Sequence, residues 1–436
     1  MSEGLLLPFF RFVDRCSVER WKGTVSHVAG HLVESDGPFC SVGECCEVVN
    51  AERQKFAGEI VGFRGPKVLS MCLERPRGIR YGDPIVSWGK RPEMGVGTGL
   101  IGRVIDATGE PLDGMGKYRV DAERSIDVNG PSPLERVTIR QPLGCGIRAV
   151  DAMLTCGRGQ RVGIFGGSGV GKSTLIGIMA RGTAADVIVL GLIGERGREV
   201  REFLEEALGD EGRRRSIVVV STSDQSPLLR IRAALVATTV AEHFAEQGKH
   251  VLLVVDSLTR FAMAQREIGL AAGEPPTSKG YTPSVFTLLA RLIERAGCFE
   301  TGSVTAFYTV LMEGDDENDP LVDGARSLLD GHIVLDRELA GRGHYPPISI
   351  LHSLSRLMPA VAGEGQMSRA RQIRQLMSTY GNSEDLIRLG AYQMGTDPLL
   401  DQAINAMPGI DGFLQQRSDE SCSLEEAIGQ MMKLPL

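Results

Sequence analysis

Aromatic side chains are scarce in this chain: 5% of 436 residues, with two tryptophans. Few rings are therefore on hand to stack nucleobases. Positive charge is not in excess either. The 48 Lys and Arg stand against 55 Asp and Glu, a net charge of −7. A dedicated nucleic-acid binder carries a basic domain, so the composition argues against that class. No apolar run approaches the roughly 18 residues that a membrane-spanning helix needs. Leu5-Leu6-Leu7-Pro8-Phe9-Phe10 is short, interrupted by Pro8 and preceded by Glu3, which makes a poor secretion signal. The nine cysteines are scattered, with no Cys-x-x-Cys pair and no Cys/His ligand spacing. They read as reduced thiols filling cores. Together these absences predict a soluble, cytoplasmic protein.

Glycine, by contrast, is abundant at 54 residues, about one in eight where one in fourteen is usual. At roughly 150 residues per domain the length suggests about three domains. Residues 1–20 read as an amino-terminal arm. Residues 21–92 carry short strand-like runs punctuated by Gly and Pro: Gly23–Val33, Cys46–Val49, Glu59–Phe63, Lys67–Leu73 and Asp83–Trp88. Such spacing predicts a small β-barrel. Residues 93–358 form the next unit, with the Gly/Pro-rich stretch 93–150 as a linker wrapping into it. From Gln160 onward apolar strands alternate with helical patterns, which predicts an α/β domain with a mainly parallel sheet covered on both faces. Residues 359–436 read as helices: Met367–Thr379, Asn382–Leu389, Leu399–Asn405, Ile410–Gln416 and Ser423–Met432.

The most specific motif is Gly166-Gly167-Ser168-Gly169-Val170-Gly171-Lys172-Ser173, a full G-x-x-x-x-G-K-[ST] between a strand and a helix. Its glycines let successive backbone N–H groups converge on phosphate oxygens at a helix amino terminus. Lys172 can reach the β/γ-phosphates, and the Ser173 hydroxyl can ligate Mg²⁺. ATP and Mg²⁺ are the cofactors so implied. Val251–Asp256 is an apolar run closing on a carboxylate; Asp256 suits either a Mg²⁺ site beside the phosphate loop or a helix cap. Glu195 follows another strand. It could polarise a water, or be a surface Glu favoured at a helix start. Arg356 is either structural or an arginine finger for a neighbouring subunit's γ-phosphate. Tyr345 is either a packed loop aromatic or a ring stacked on adenine. Arg213-Arg214-Arg215 is flanked by acidic residues and reads as a solvated mixed face. The acidic loop Glu313–Asp319 lacks a Ca²⁺-loop spacing.

In combination, Gly166–Thr174, Gly194–Val200, Asp256–Arg260 and Ser353–Arg356 resemble the hexameric ATPases related to the rotary ATP synthase catalytic β subunit. Within that group the chain resembles the type III protein export ATPases. Phe261–Gly269, Gly273–Pro276 and Lys279–Tyr281 look most like the flagellar branch. The resemblance implies a catalytic carboxylate at Glu195 with Arg196 beside it near the γ-phosphate, a finger at Arg356 acting across a subunit interface, and adenine stacking by Tyr345. It implies a homohexamer with a coiled-coil stalk protein in its pore and a dimeric regulator on the arm, where Leu5–Phe12 is the candidate docking segment. It further implies contacts with an export gate and substrate–chaperone complexes, at the face of a membrane-embedded export apparatus. The expected function is an ATP-hydrolysing motor of flagellar protein export. The alternatives are a virulence injectisome ATPase, a non-catalytic ring subunit, and an RNA translocase. A carboxylate rather than an amide at position 195 disfavours the non-catalytic subunit, and the acidic charge with few aromatics disfavours the translocase.

Overall fold

The structure, a computed structural model, describes residues 21–312, 314, 316 and 319–436. The arm with Leu5–Phe12 lies outside the described residues, as does part of the acidic loop. Among the described residues no helix is long and apolar enough to cross a membrane.

Six strands close into a barrel in the order Trp21–Ala29, Leu32–Asp36, Lys67–Cys72, Lys55–Arg64, Cys45–Val49, Pro84–Ser87. The single run expected over Gly23–Val33 is in fact two strands. They part at Gly30, whose φ of 62° makes the turn, and the apolar alternation continues across it, which hid the hairpin. Val25, Val33, Val48, Ile60 and Ile85 fill the barrel interior. Leu32, Leu69 and Met71 belong instead to the apolar core of the neighbouring unit. The barrel is thus packed onto its neighbour through its outer wall.

That neighbour is built on a nine-stranded sheet. Its central order is Gly331–Leu335, Arg161–Gly166, Ser303–Leu311, His250–Asp256, Val187–Glu195, Ser216–Thr222, and every pairing among these six is parallel. Ile348–Ser355 adds an antiparallel edge. At the opposite edge sits Val104–Asp106, a strand supplied by the wrapping stretch. Along Val187–Glu195 the side chains Val187, Val189 and Ile193 enter one core, and Ile188, Leu190 and Leu192 the other. This period-two split is why the strand is apolar throughout. Helices Pro227–Glu246, Leu258–Ala272 and Pro283–Ile293 cover one face, and Arg148–Met153 and Lys172–Gly182 the other.

The carboxyl-terminal region is helical, but with fewer breaks than the sequence suggests. Glu364–Arg388 runs through Gly381, and Pro398–Leu414 runs through Pro408-Gly409. Burial of Ala403, Ala406, Ile410 and Phe413 on one face outweighs the lost backbone hydrogen bond and the glycine entropy.

The barrel joins the sheet unit through a buried ion pair, Arg232 with Glu59, the side chains being 10% and 13% exposed. Burial pushes the Glu59 carboxyl up and the Arg232 guanidinium draws it back. Arg232→Met is expected to destabilise the fold by about 3–5 kcal/mol by stranding the carboxylate, and the double variant with Glu59→Gln by less. Thermal unfolding of the two variants checks the order.

Candidate nucleotide-binding active site

All parallel strands of the sheet end on one side, and the candidate residues collect there. This is where open α/β sheets bind ligands. The strand Arg161–Gly166 lies between two parallel neighbours and releases the glycine loop at that edge. Gly169 and Gly171 adopt φ of 77° and 100°, and nothing lies within 4 Å of where a Cβ would stand on either. Glycine is therefore required there for backbone shape and not for packing. Gly171 caps the helix Lys172–Gly182 without a side chain, so the first-turn N–H groups face the cleft as an anion cradle. Val170 is buried beneath the loop, while Ser168, Ser173 and Thr174 are exposed at its rim. The Lys172 ammonium folds back over the loop and donates to the Gly166 carbonyl at 3.0 Å and to the Gly167 carbonyl.

Asp256 ends the strand His250–Asp256, and its carboxylate is buried. Thr309 of the adjacent strand donates to it at 2.5 Å. Burial raises the Asp256 carboxyl above its ordinary range. The Thr309 hydroxyl and the positive charges of Lys172 and Arg260 counter that, and Glu199 adds to it. The helix-cap role belongs to the next residue, Ser257, whose hydroxyl accepts from the Arg260 N–H. Glu195 is the last residue of Val187–Glu195 and is half-buried. Its carboxyl is pushed up to about 8, first by burial, then by the Asp256 and Glu199 carboxylates, with Arg260 partly offsetting them. Arg196 sits at the cleft rim with its side chain 81% exposed, 3.6 Å from Glu199.

These groups border one cleft of about 880 Å³, ample for a nucleotide. Ser168, Gly169, Gly171, Lys172, Ser173, Thr174, Glu195, Arg196 and Asp256 all line it. Tyr345 and Arg356 do not. Tyr345 is half exposed on a loop, its carbonyl accepting from the Gln416 N–H at 2.9 Å. Arg356 is exposed, and its backbone N–H donates to the Asp330 carbonyl. Within one chain the structure does not bring these two to the phosphate loop.

Other cleft-lining residues carry weaker sequence signals. Arg260 lies one helical turn beyond Asp256, and Glu199 one turn beyond Glu195; that spacing could have pointed to both. Thr309, a partner of Asp256 that does not itself line the cleft, is found only through strand register. Arg181 and Ser418, which also line the cleft, have no local signal at all. The Ser173 hydroxyl and Asp256 carboxylate are hard oxygen donors of the kind Mg²⁺ takes, and they are the residues here that would hold it.

A glycine loop between a parallel strand and a helix, with carboxylates on neighbouring strand ends, defines a P-loop nucleoside triphosphatase. Comparison with known proteins narrows the class. The family described as ATP synthase alpha/beta matches through its beta-barrel domain at residues 25–89 and its nucleotide-binding domain at 146–355; the T3SS EscN ATPase C-terminal domain matches at 362–433. A flagellum-specific ATP synthase of Bacillus subtilis (strain 168) is 50% identical over 94% of this chain and 94% of its own. A type 3 secretion system ATPase of Sinorhizobium fredii is 46% identical over 95% of this chain and 92% of its own. The solved structure of the assembled ATPase EscN, from the type III secretion system of enteropathogenic E. coli, superposes with a TM-score of 0.90 at 44% identity, covering 94% of this chain and 99% of EscN. The chain belongs to the ATP synthase alpha/beta family, in the branch that holds the flagellar and type III secretion ATPases.

Proposed function

We propose that the chain hydrolyses ATP as the motor of flagellar protein export, working as a homohexameric ring. The observation that carries this reading is Glu195, Lys172 and Asp256 converging on one cleft around the phosphate loop. In this reading the N–H groups of Gly166–Thr174 hold the phosphates. Lys172 exchanges its own loop carbonyls for phosphate oxygens. Mg²⁺, held by Ser173 and Asp256, supplies neutralisation of the phosphate charge. Glu195 orients a water and takes its proton as the oxygen attacks the γ-phosphorus; the bond to the bridging oxygen breaks, giving ADP and phosphate. Arg196 stands beside Glu195. Tyr345 stacks on adenine. Arg356, remote from the cleft of its own chain, serves as the finger for the next subunit.

A solved relative, EscN in complex with its central stalk EscO, superposes with a TM-score of 0.86, and it supports a stalk partner in the ring pore. A regulator on residues 1–20, an export gate and substrate–chaperone complexes complete the reading, which places the ring at the cytoplasmic face of the export apparatus. Domain limits at 20, 92 and 358 are proposed with it. An injectisome motor is the second reading, because a secretion relative at 46% identity lies between flagellar relatives at 50% and 45%.

Glu195→Gln and Arg356→Ala are each expected to abolish turnover while keeping ATP binding. Mixed one to one, they should regain about a quarter of wild-type activity, because intact sites then meet intact fingers across interfaces. A mixture as inactive as its components would sink the trans-acting finger. The pH profile adds a second check. Burial and the neighbouring carboxylates push the Glu195 carboxyl up to about 8 in the nucleotide-free chain, and only its ionised form can act as a base. The wild-type kcat/KM is therefore expected to rise through neutral pH and flatten above about 8.

A further inference from the structure

Two breaks in regular structure border the nucleotide cleft. The first lies in the helical run after Glu195, where Phe203–Leu208 is wound as a π-helix and Gly209 turns out at φ 62°. Such a break leaves carbonyls just before it without donors in their own ladder. The second lies in Gln415–Ser423, a stretch without helix or strand that links two carboxyl-terminal helices. One side chain satisfies both. Arg181, on the last turn of the phosphate-loop helix, donates through one guanidinium nitrogen to the Ala207 carbonyl and through the other to the Ser418 carbonyl at 2.6 Å. Gly177, one turn earlier, leaves room for this arrangement: a Cβ there would lie 2.4 Å from the Ala207 oxygen. Arg181, Ala207 and Ser418 all line the cleft.

The stretch bound by Arg181 is itself clasped to the sheet unit. The Gln416 side chain accepts from the Arg148 N–H at 2.7 Å and donates to the Gly146 carbonyl at 2.8 Å, and Glu420 pairs with the Arg148 guanidinium. Gln416 also donates its N–H to Tyr345. The carboxyl-terminal stretch therefore reaches the cleft at Ser418 and is fastened there by a planar fork that bonds two carbonyls at once, which an ammonium does less well.

We infer that Arg181 is a positioning residue: it holds the helical run Phe203–Leu208 and the carboxyl-terminal stretch at fixed spacing beside the nucleotide cleft, and so sets the affinity for ATP. This rests on the ATPase reading above. Arg181 is not in contact with the reacting atoms, and its loss should act on binding and leave chemistry nearly intact.

In the full-length chain, Arg181→Met is expected to raise the KM for ATP about tenfold with kcat within about twofold. In the nucleotide-free chain it should also speed hydrogen exchange of the amides in Gln415–Glu420. Arg181→Lys, which keeps the charge but not the fork, should shift both in the same direction by less, and it carries the test if Arg181→Met does not fold. Arg417 lies in the same stretch but pairs with Asp419 in solvent, and Arg417→Ala should leave KM unchanged. An unchanged KM together with unchanged exchange in the Arg181 variants overturns the inference, as does a fall in kcat at constant KM. Hydrogen exchange needs no turnover. Failure of the ATPase reading would instead appear as an inactive wild type.

Discussion

A buried carboxylate at the end of a strand is the constraint on which the rest of this structure depends. Asp256 is desolvated, and its charge is costly to keep there. Only the Thr309 hydroxyl beside it and the nearby positive charges of Lys172 and Arg260 moderate that cost. A second carboxylate, Glu195, stands in the same cleft and is raised by burial and by Asp256. Such an arrangement is unfavourable in a chain without ligand and is relieved by positive charge and by phosphate-bound cations. Its natural complement is a nucleotide with Mg²⁺. The parallel sheet makes it possible by ending three neighbouring strands at one edge.

The same edge explains the glycine excess in part. Positive backbone angles at Gly169 and Gly171 are the condition for aiming N–H groups inward, and no packing demand accompanies them. Elsewhere glycines serve turns, as at Gly30, or close contact, as at Gly177. The scarcity of aromatic residues has a counterpart too, since the described cleft is lined mostly by polar and small side chains, with Phe203 its one ring.

Coupling between the regions rests on a few polar contacts laid over apolar packing. The barrel is fixed by Leu32, Leu69 and Met71 and by the pair Arg232–Glu59. The helical region is fixed through Arg148, Gln416 and Arg181. The second set borders the cleft, so a shift of the helical region is felt at the nucleotide.

The sequence by itself determined the phosphate loop, the strand carrying Asp256, the β/α alternation and the three-part plan. Each depends on local chemistry: glycine geometry, continuous apolar strands, or period-two alternation. Tertiary structure decided what local chemistry cannot reach. Thr309 meets Asp256 only because their strands pair in register, and the edge strand Val104–Asp106 forms only because the wrapping stretch finds the sheet. Packing of one apolar face carried the helix Pro398–Leu414 through Pro408, where local preference marks a break. Arg181 and Ser418, 237 positions apart, share a cleft wall through folding alone. Arg356 and Tyr345 stand away from the phosphate loop of their own chain, and packing of the edge strand and of the loop, which no local signal announces, sets where they lie.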